Sequence, residues 1–86
     1  MVYNMIQKET IKQLIEEGLP GSEAIIKGDD GSHFEGVVIC PDFEGKGMLE
    51  QHRMVFATLG ERVQTGEIHA LSIKTYTPAQ WQAQQV

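Results

Sequence analysis

The sequence is poor in the residues that small domains use as covalent or metal staples. It has one cysteine, Cys40, in 86 residues. A single thiol closes no internal disulfide and supplies no multi-thiolate zinc site. Basic residues are scarce: seven Lys and Arg face twelve Asp and Glu, a formal net charge of −5. That balance argues against a protein that grips nucleic acid or an anionic membrane mainly by charge. No apolar run approaches the ~20 residues needed to cross a bilayer. The opening residues, Met1 to Glu9, lack a basic stretch followed by an apolar one, so they do not read as a secretory signal. What is present is ordinary, with 41% hydrophobic and 22% charged residues. Those are the proportions of a folded globular chain rather than a disordered or fibrous one. The expectation is a single domain over 1–86, cytoplasmic, without a membrane partner.

Periodicity gives the element order. Ile11, Leu14 and Ile15 fall on one helical face. Asn4 with Gln7 could cap that helix, and Gly18 and Pro20 stop it, so helix 1 is expected at about Met5–Glu17. Ala24 to Lys27 and His33 to Cys40 read as two strands of a hairpin, joined by a Gly28–Ser32 turn rich in Gly and Asp. Gly36 inside the second strand predicts a bulge or a close approach. Residues 41–47 read as a loop. Met48, His52, Val55, Phe56, Leu59 and Val63 mark a second amphipathic helix, broken or bent at Gly60, with a short helical turn after it. Ile68 to Tyr76 alternates as a third strand, placing His69, Leu71 and Ile73 on one side. Thr77 as N-cap and Pro78 at the first helical position open a C-terminal helix, with Trp81 expected to close the core. The order α-β-β-α-α-β-α describes an α+β fold, a three-stranded sheet with helices packed on one face.

No catalytic constellation stands out. Ser22, Ser32 and Ser72 lack a nucleophile-elbow context, and Cys40 has no neighbouring base in the sequence, so a half-buried inert thiol is expected there. Asp29, Asp30, Asp42 and Glu44 lie in loops, where solvated carboxylates are the default. Gly28-Asp-Asp-Gly31 would repel a phosphate, and Gly18-Leu-Pro-Gly21 is a helix stop plus a turn, so neither is a nucleic-acid clamp. Gly45-Lys46-Gly47 precedes a helix N-terminus, where amides favour anions, but a flexible lead into the helix is the preferred reading. The histidines carry the remaining chemistry, because imidazole binds iron, zinc and copper. His52 lies on the apolar stripe of the second helix and reads as a packed, hydrogen-bonded core residue. His33 and His69 each open a strand.

Two stretches carry a family resemblance. Asp42-Phe-Glu-Gly-Lys-Gly-Met-Leu-Glu-Gln-His-Arg-Met-Val55 resembles the BolA signature F-x-G-x5-R-H-R-x-V. Ile68-His-Ala-Leu-Ser-Ile-Lys-Thr-Tyr-Thr-Pro-Ala-Gln-Trp81 resembles the family's I-H-A-L-S-I-K-x-x-T-P-x-[EQ]-W tail. Gly28-Asp-Asp-Gly-Ser-His-Phe34 is similar to the G-D-G-S-H-F turn of one bacterial subgroup. The resemblance spans about Ile6 to Trp81. One departure is Gln51, where the signature has the first Arg of R-H-R, which weakens a basic, nucleic-acid-facing reading of the second helix.

The resemblance implies a fold related to the class II KH domain and no enzyme activity. It implies a monothiol glutaredoxin partner and a [2Fe–2S] cluster shared with it, the glutaredoxin contributing a cysteine thiolate and bound glutathione. The BolA-like chain alone would hold no cofactor. Its ligand would be the histidine of I-H-A, His69. A second ligand would come from the loop between the first two strands, with His33 the candidate at the loop's edge and Asp30 at the position some relatives give to the ligand. Mixed thiolate and imidazole ligation suits such a cluster. The alternative is a DNA-binding transcriptional regulator acting through the second helix, with Lys46, Arg53, Arg62 and Lys74 as its basic patch. The net charge, Gln51 and the acidic turn favour the first reading. A weak homodimer is compatible with either.

Overall fold

The computed structural model describes residues 7–28, 33–60 and 70–84. Its elements are α1 (Lys8–Gly18), β1 (Glu23–Lys27), β2 (His33–Ile39), a 3-10 turn (Pro41–Phe43), α2 (Met48–Leu59), β3 (Ala70–Tyr76) and α3 (Pro78–Gln84). The helical turn expected after Gly60 lies outside the described residues. So do Asp29–Ser32 of the first turn and Met5 and Ile6, which the sequence assigns to helix 1.

Helix α1 starts later than its expected Met5. Gln7 is extended, with φ −95° and ψ 153°, and forms the N-cap itself without a side-chain cap bond. Its carbonyl accepts from the N–H groups of Thr10 and Ile11 at 3.0 and 3.1 Å. An extended Gln7 is outside the helix, so it cannot play the third-residue role of an Asn4 capping box.

The three strands form one mixed sheet in the order β1-β2-β3. β1 and β2 are antiparallel, with Ile25 opposite Val37 and Lys27 opposite Glu35. β2 and β3 are parallel, with His33 opposite Ala70 and Val37 opposite Lys74. Parallel neighbours need a long crossover, and the stretch carrying α2 supplies it. The expected bulge at Gly36 is absent, since Gly36 is paired in register with both Ile26 and Ile73. The close approach is what the glycine serves. A Cβ there would sit 2.9 Å from Ile26 Cδ1.

Alternation divides the sheet into two faces. Phe34, Gly36 and Val38 of β2 are buried beneath α1 and α2, in a core with Ile11, Ile15, Val55 and Leu59. The stripe that α2 buries is Gln51, Val55 and Leu59. Met48, expected on that stripe, is 72% exposed, and His52 is half-buried rather than in the core. The stripe is turned toward Gln51, whose amide finds polar partners inside. Cys40 is fully buried, not half-buried. Gly60 ends α2 in a left-handed conformation, φ 61°.

The expected single-faced helix layer holds for α1 and α2. Helix α3 instead sets Trp81 at the other face, beside Ile25, Val37 and Lys74. Its start is a reciprocal cap: Gln80 N–H donates to Thr77 Oγ1 at 3.2 Å, and Thr77 N–H donates to Gln80 Oε1 at 2.9 Å. Trp81 is half-buried and lies outside the core, its ring 5.3 Å from that of Tyr76 at 52°. Truncating it therefore removes less packing than a core tryptophan would.

The outer edge of β1 is closed by α1. Lys12 Nζ donates to Ala24 O at 2.7 Å, and Ala24 N–H donates to Glu16 Oε2 at 3.0 Å. Lys12 and Glu16 also form an ion pair at 2.6 Å. The Ala24 N–H, and then Lys12, hold the Glu16 carboxyl below its ordinary pKa of 4.5. A depressed folded-state value stabilises the fold above the ordinary value, and that contribution is lost as pH falls through the lowered one. Glu16→Ala is expected to cost about 1 kcal/mol at pH 7, at the low end for a charged bond because the group is partly solvated. The difference from the parent should shrink in urea melts below about pH 4. A deficit independent of pH would show that the carboxylate charge is not what holds the strand.

Candidate functional site

His33 is the first residue of β2 and its side chain is exposed. It stands on the sheet face opposite α1 and α2, on the same side as Glu35. Directly across from it in β3 is Ala70, the chain neighbour of His69. His69 itself lies outside the described residues, as do Asp30 and Arg62. Among the described residues, no group of three or more His, Cys, Asp or Glu side chains is placed to hold a metal ion. Cys40 is inside the core, its N–H donating to Tyr76 O at 3.0 Å. An incoming iron could reach its sulfur only if the core opened.

Among the described residues, Lys46, Arg53 and Lys74 are not gathered on one face. Lys46 lies in the loop before α2, and Arg53 is exposed on α2. Lys74, opposite Val37, belongs to the sheet face away from α2.

Gln51 is a buried structural position that hydropathy misses. Its Nε2 donates to Lys46 O at 2.7 Å and Phe43 O at 3.2 Å, while Thr75 Oγ1 donates to its Oε1 at 2.6 Å. One side chain thus ties the Phe43–Gly47 loop, α2 and β3 together. Position 51 faces inward, so its identity bears on loop geometry rather than on the charge of the exposed face of α2. The Gln51 N–H also donates to Gly47 O at 3.0 Å. The first turn of α2 is thereby fixed while Met48 and Leu49 stay 72% and 65% exposed.

The family model described as BolA-like protein matches residues 1–80. The chain belongs to the BolA-like family. It is 33% identical over 76 residues to the acid stress protein IbaG of Escherichia coli K12, covering 88% of this chain and 89% of that protein. A 57-residue stretch is 56% identical to Protein BOLA2 of Arabidopsis thaliana; it covers 65% of this chain and 59% of that longer protein. The solved BolA homologue from Coxiella burnetii superposes with a TM-score of 0.80 at 51% identity, covering 91% of this chain and 99% of that one. The α+β architecture is thus shared across the family. No helix among the described residues is long and apolar enough to cross a membrane.

Proposed function

We propose that this BolA-like chain is a non-enzymatic partner of a monothiol glutaredoxin and shares with it a glutathione-ligated [2Fe–2S] cluster, His69 and His33 being its ligands. The observation that carries the reading is the pairing of His33 with Ala70, next in the chain to His69. His69 precedes Ala70 by one peptide link, and Ala70 is the residue opposite His33. Successive side chains of an extended strand alternate faces, so His69 shares an iron with His33 only where the chain before Ala70 leaves the strand course; two imidazoles so placed form half of a four-ligand set. The partner's thiolate and glutathione complete it, and neutral imidazole is a competent ligand to such iron. His33 is exposed, as a ligand must be if a second protein delivers the iron to it.

The test is the visible absorption and circular dichroism of this protein mixed with a monothiol glutaredoxin, glutathione, ferrous iron and sulfide. The expected result is a set of iron–sulfur bands distinct from those of the glutaredoxin alone. Spectra that superpose on the glutaredoxin control, at protein ratios from substoichiometric to excess, would remove the proposal. The DNA-binding alternative gains nothing from the separation of Lys74 from Lys46 and Arg53. Salt-sensitive DNA binding by the apo chain would bring it back.

A further inference from the structure

The sheet face that α1 and α2 leave uncovered is not uniform. Its register sets Ile25, Val37 and Lys74 in one row and Lys27, Glu35 and Ser72 in the next. Trp81 of α3 leans over the first row and closes one side of a shallow groove of about 540 Å³. The floor joins Ile25 and Val37 to Glu35 and Ser72 in the adjoining row, and the rim carries Lys27, opposite Glu35, and Lys74, both exposed. In a chain of net charge −5, this groove is lined by two cations and one anion, Glu35. We propose that this groove is a docking site for an extended acidic segment of a partner protein, with carboxylates four residues apart and an apolar side chain between them.

The spacing of the lysines selects that occupant. Lys27 and Lys74 are two strands and two residues apart, which puts their Cα atoms about 12 Å from one another on the diagonal. A compact dianion such as phosphate, placed midway where both flexible lysine side chains reach, would meet the Glu35 carboxylate. In an extended peptide, side chains at i, i+2 and i+4 share a face and are about 6.6 Å apart in succession. Acidic groups at i and i+4 therefore reach the two lysines. The side chain at i+2 falls midway, over Val37 and the methylenes of Glu35, beside the indole of Trp81. The aromatic ring supplies contact area at little conformational cost, and the lysines set direction and register. This inference is independent of the cluster proposal, because none of the groove residues is a cluster ligand.

Trp81 is the sole tryptophan of the chain, so its fluorescence reports on the groove directly. The probe is a blocked seven-residue peptide with glutamate at its second and sixth positions, leucine at its fourth, and serine or glycine elsewhere. Titrating the full chain with it should give a saturable blue shift of the emission. A Lys27→Glu, Lys74→Glu double variant should weaken binding at least about tenfold, since each exchange sets like charges together. Raising salt from about 50 to about 500 mM should weaken it as well. Both substitutions are at exposed positions, and far-ultraviolet circular dichroism checks that the variant is folded. Four results would overturn the proposal. They are no saturable shift, unchanged affinity in the double variant, equal binding of the peptide with glutamine for glutamate, or the same shift with inorganic phosphate alone. A shift that grows with protein concentration and no peptide would mean that a second copy fills the groove, and would overturn it too.

Discussion

Gln51→Leu should lower the unfolding free energy by about 2–3 kcal/mol, although leucine is apolar, close in size and a good helix former. The glutamine is 9% exposed and its amide satisfies the Phe43 and Lys46 carbonyls and the Thr75 hydroxyl. Leucine removes all three bonds and leaves the partners in place. A buried polar group deprived of its partner costs roughly 1–3 kcal/mol, more than the net worth of the bond. The three losses do not simply add. Lys46 is exposed and water can replace its bond, and Phe43 O still accepts from Lys46 N–H at 3.1 Å. The Thr75 hydroxyl is the partner with least recourse, being partly buried. For a chain of this size the cost corresponds to a fall of roughly 10–20 °C in Tm. Thermal unfolding of Gln51→Leu, Thr75→Val and the double variant apportions it: the double should be less destabilised than the sum of the singles, because it removes donor and acceptor together. A Gln51→Leu variant within 0.5 kcal/mol of the parent, roughly the spread of an ordinary surface change, would show that the loop before α2 is held by its backbone alone.

That residue also marks where the sequence stops being readable. Strong local signals translated well. Thr77, Pro78 and Gln80 form the reciprocal cap that their spacing allows, and Gly60 ends α2 in the conformation a glycine permits. Strand alternation placed β1 and β2 with ends shifted by a single residue. Hydropathy then misled on α2, because it scores an amide as polar without knowing that three partners await it inside. Met48 is the same case in reverse, apolar yet exposed: the buried stripe is set by where Phe43 and β3 stand, not by hydrophobicity along the helix. Trp81 is large and apolar enough for a core, yet a sheet has two faces, and the sequence does not say which one a seven-residue terminal helix joins. The parallel pairing that brings Ala70 to His33 is a long-range fact. Nothing in either strand's periodicity distinguishes it from an antiparallel pairing. The candidate ligands were legible only as motif positions. The register relates His33 to Ala70, while His69 lies outside the described residues.

His69→Ala should abolish or reshape the iron–sulfur bands of the mixed complex with a monothiol glutaredoxin while leaving the BolA-like fold intact. The I-H-A stretch singles out this histidine, and the register sets its chain neighbour Ala70 opposite the exposed His33. Losing a ligand changes the field at one iron, so both the energies and the optical activity of the charge-transfer bands must move. If the cluster persists, water or another side chain has taken the position, and the shift in potential that follows imidazole ligation should disappear with it. The opposing view is that His69 only hydrogen-bonds near a strand end. Under that view the substitution costs about 1 kcal/mol of stability and leaves the spectra of the complex untouched. His33→Ala discriminates further. If both imidazoles bind iron, each single variant alters the bands and the double variant abolishes the shared cluster; if His69 binds alone, His33→Ala is spectrally silent. Association of the two apo proteins should survive in every variant, since the ligands act on iron and not on the protein contact. Cys40→Ser is the control. Its sulfur is in the core, so the substitution should lower stability through a buried hydroxyl without moving the bands. Bands that respond to Cys40→Ser and not to His69→Ala would mean that the core opens to iron and that the histidine assignment is wrong.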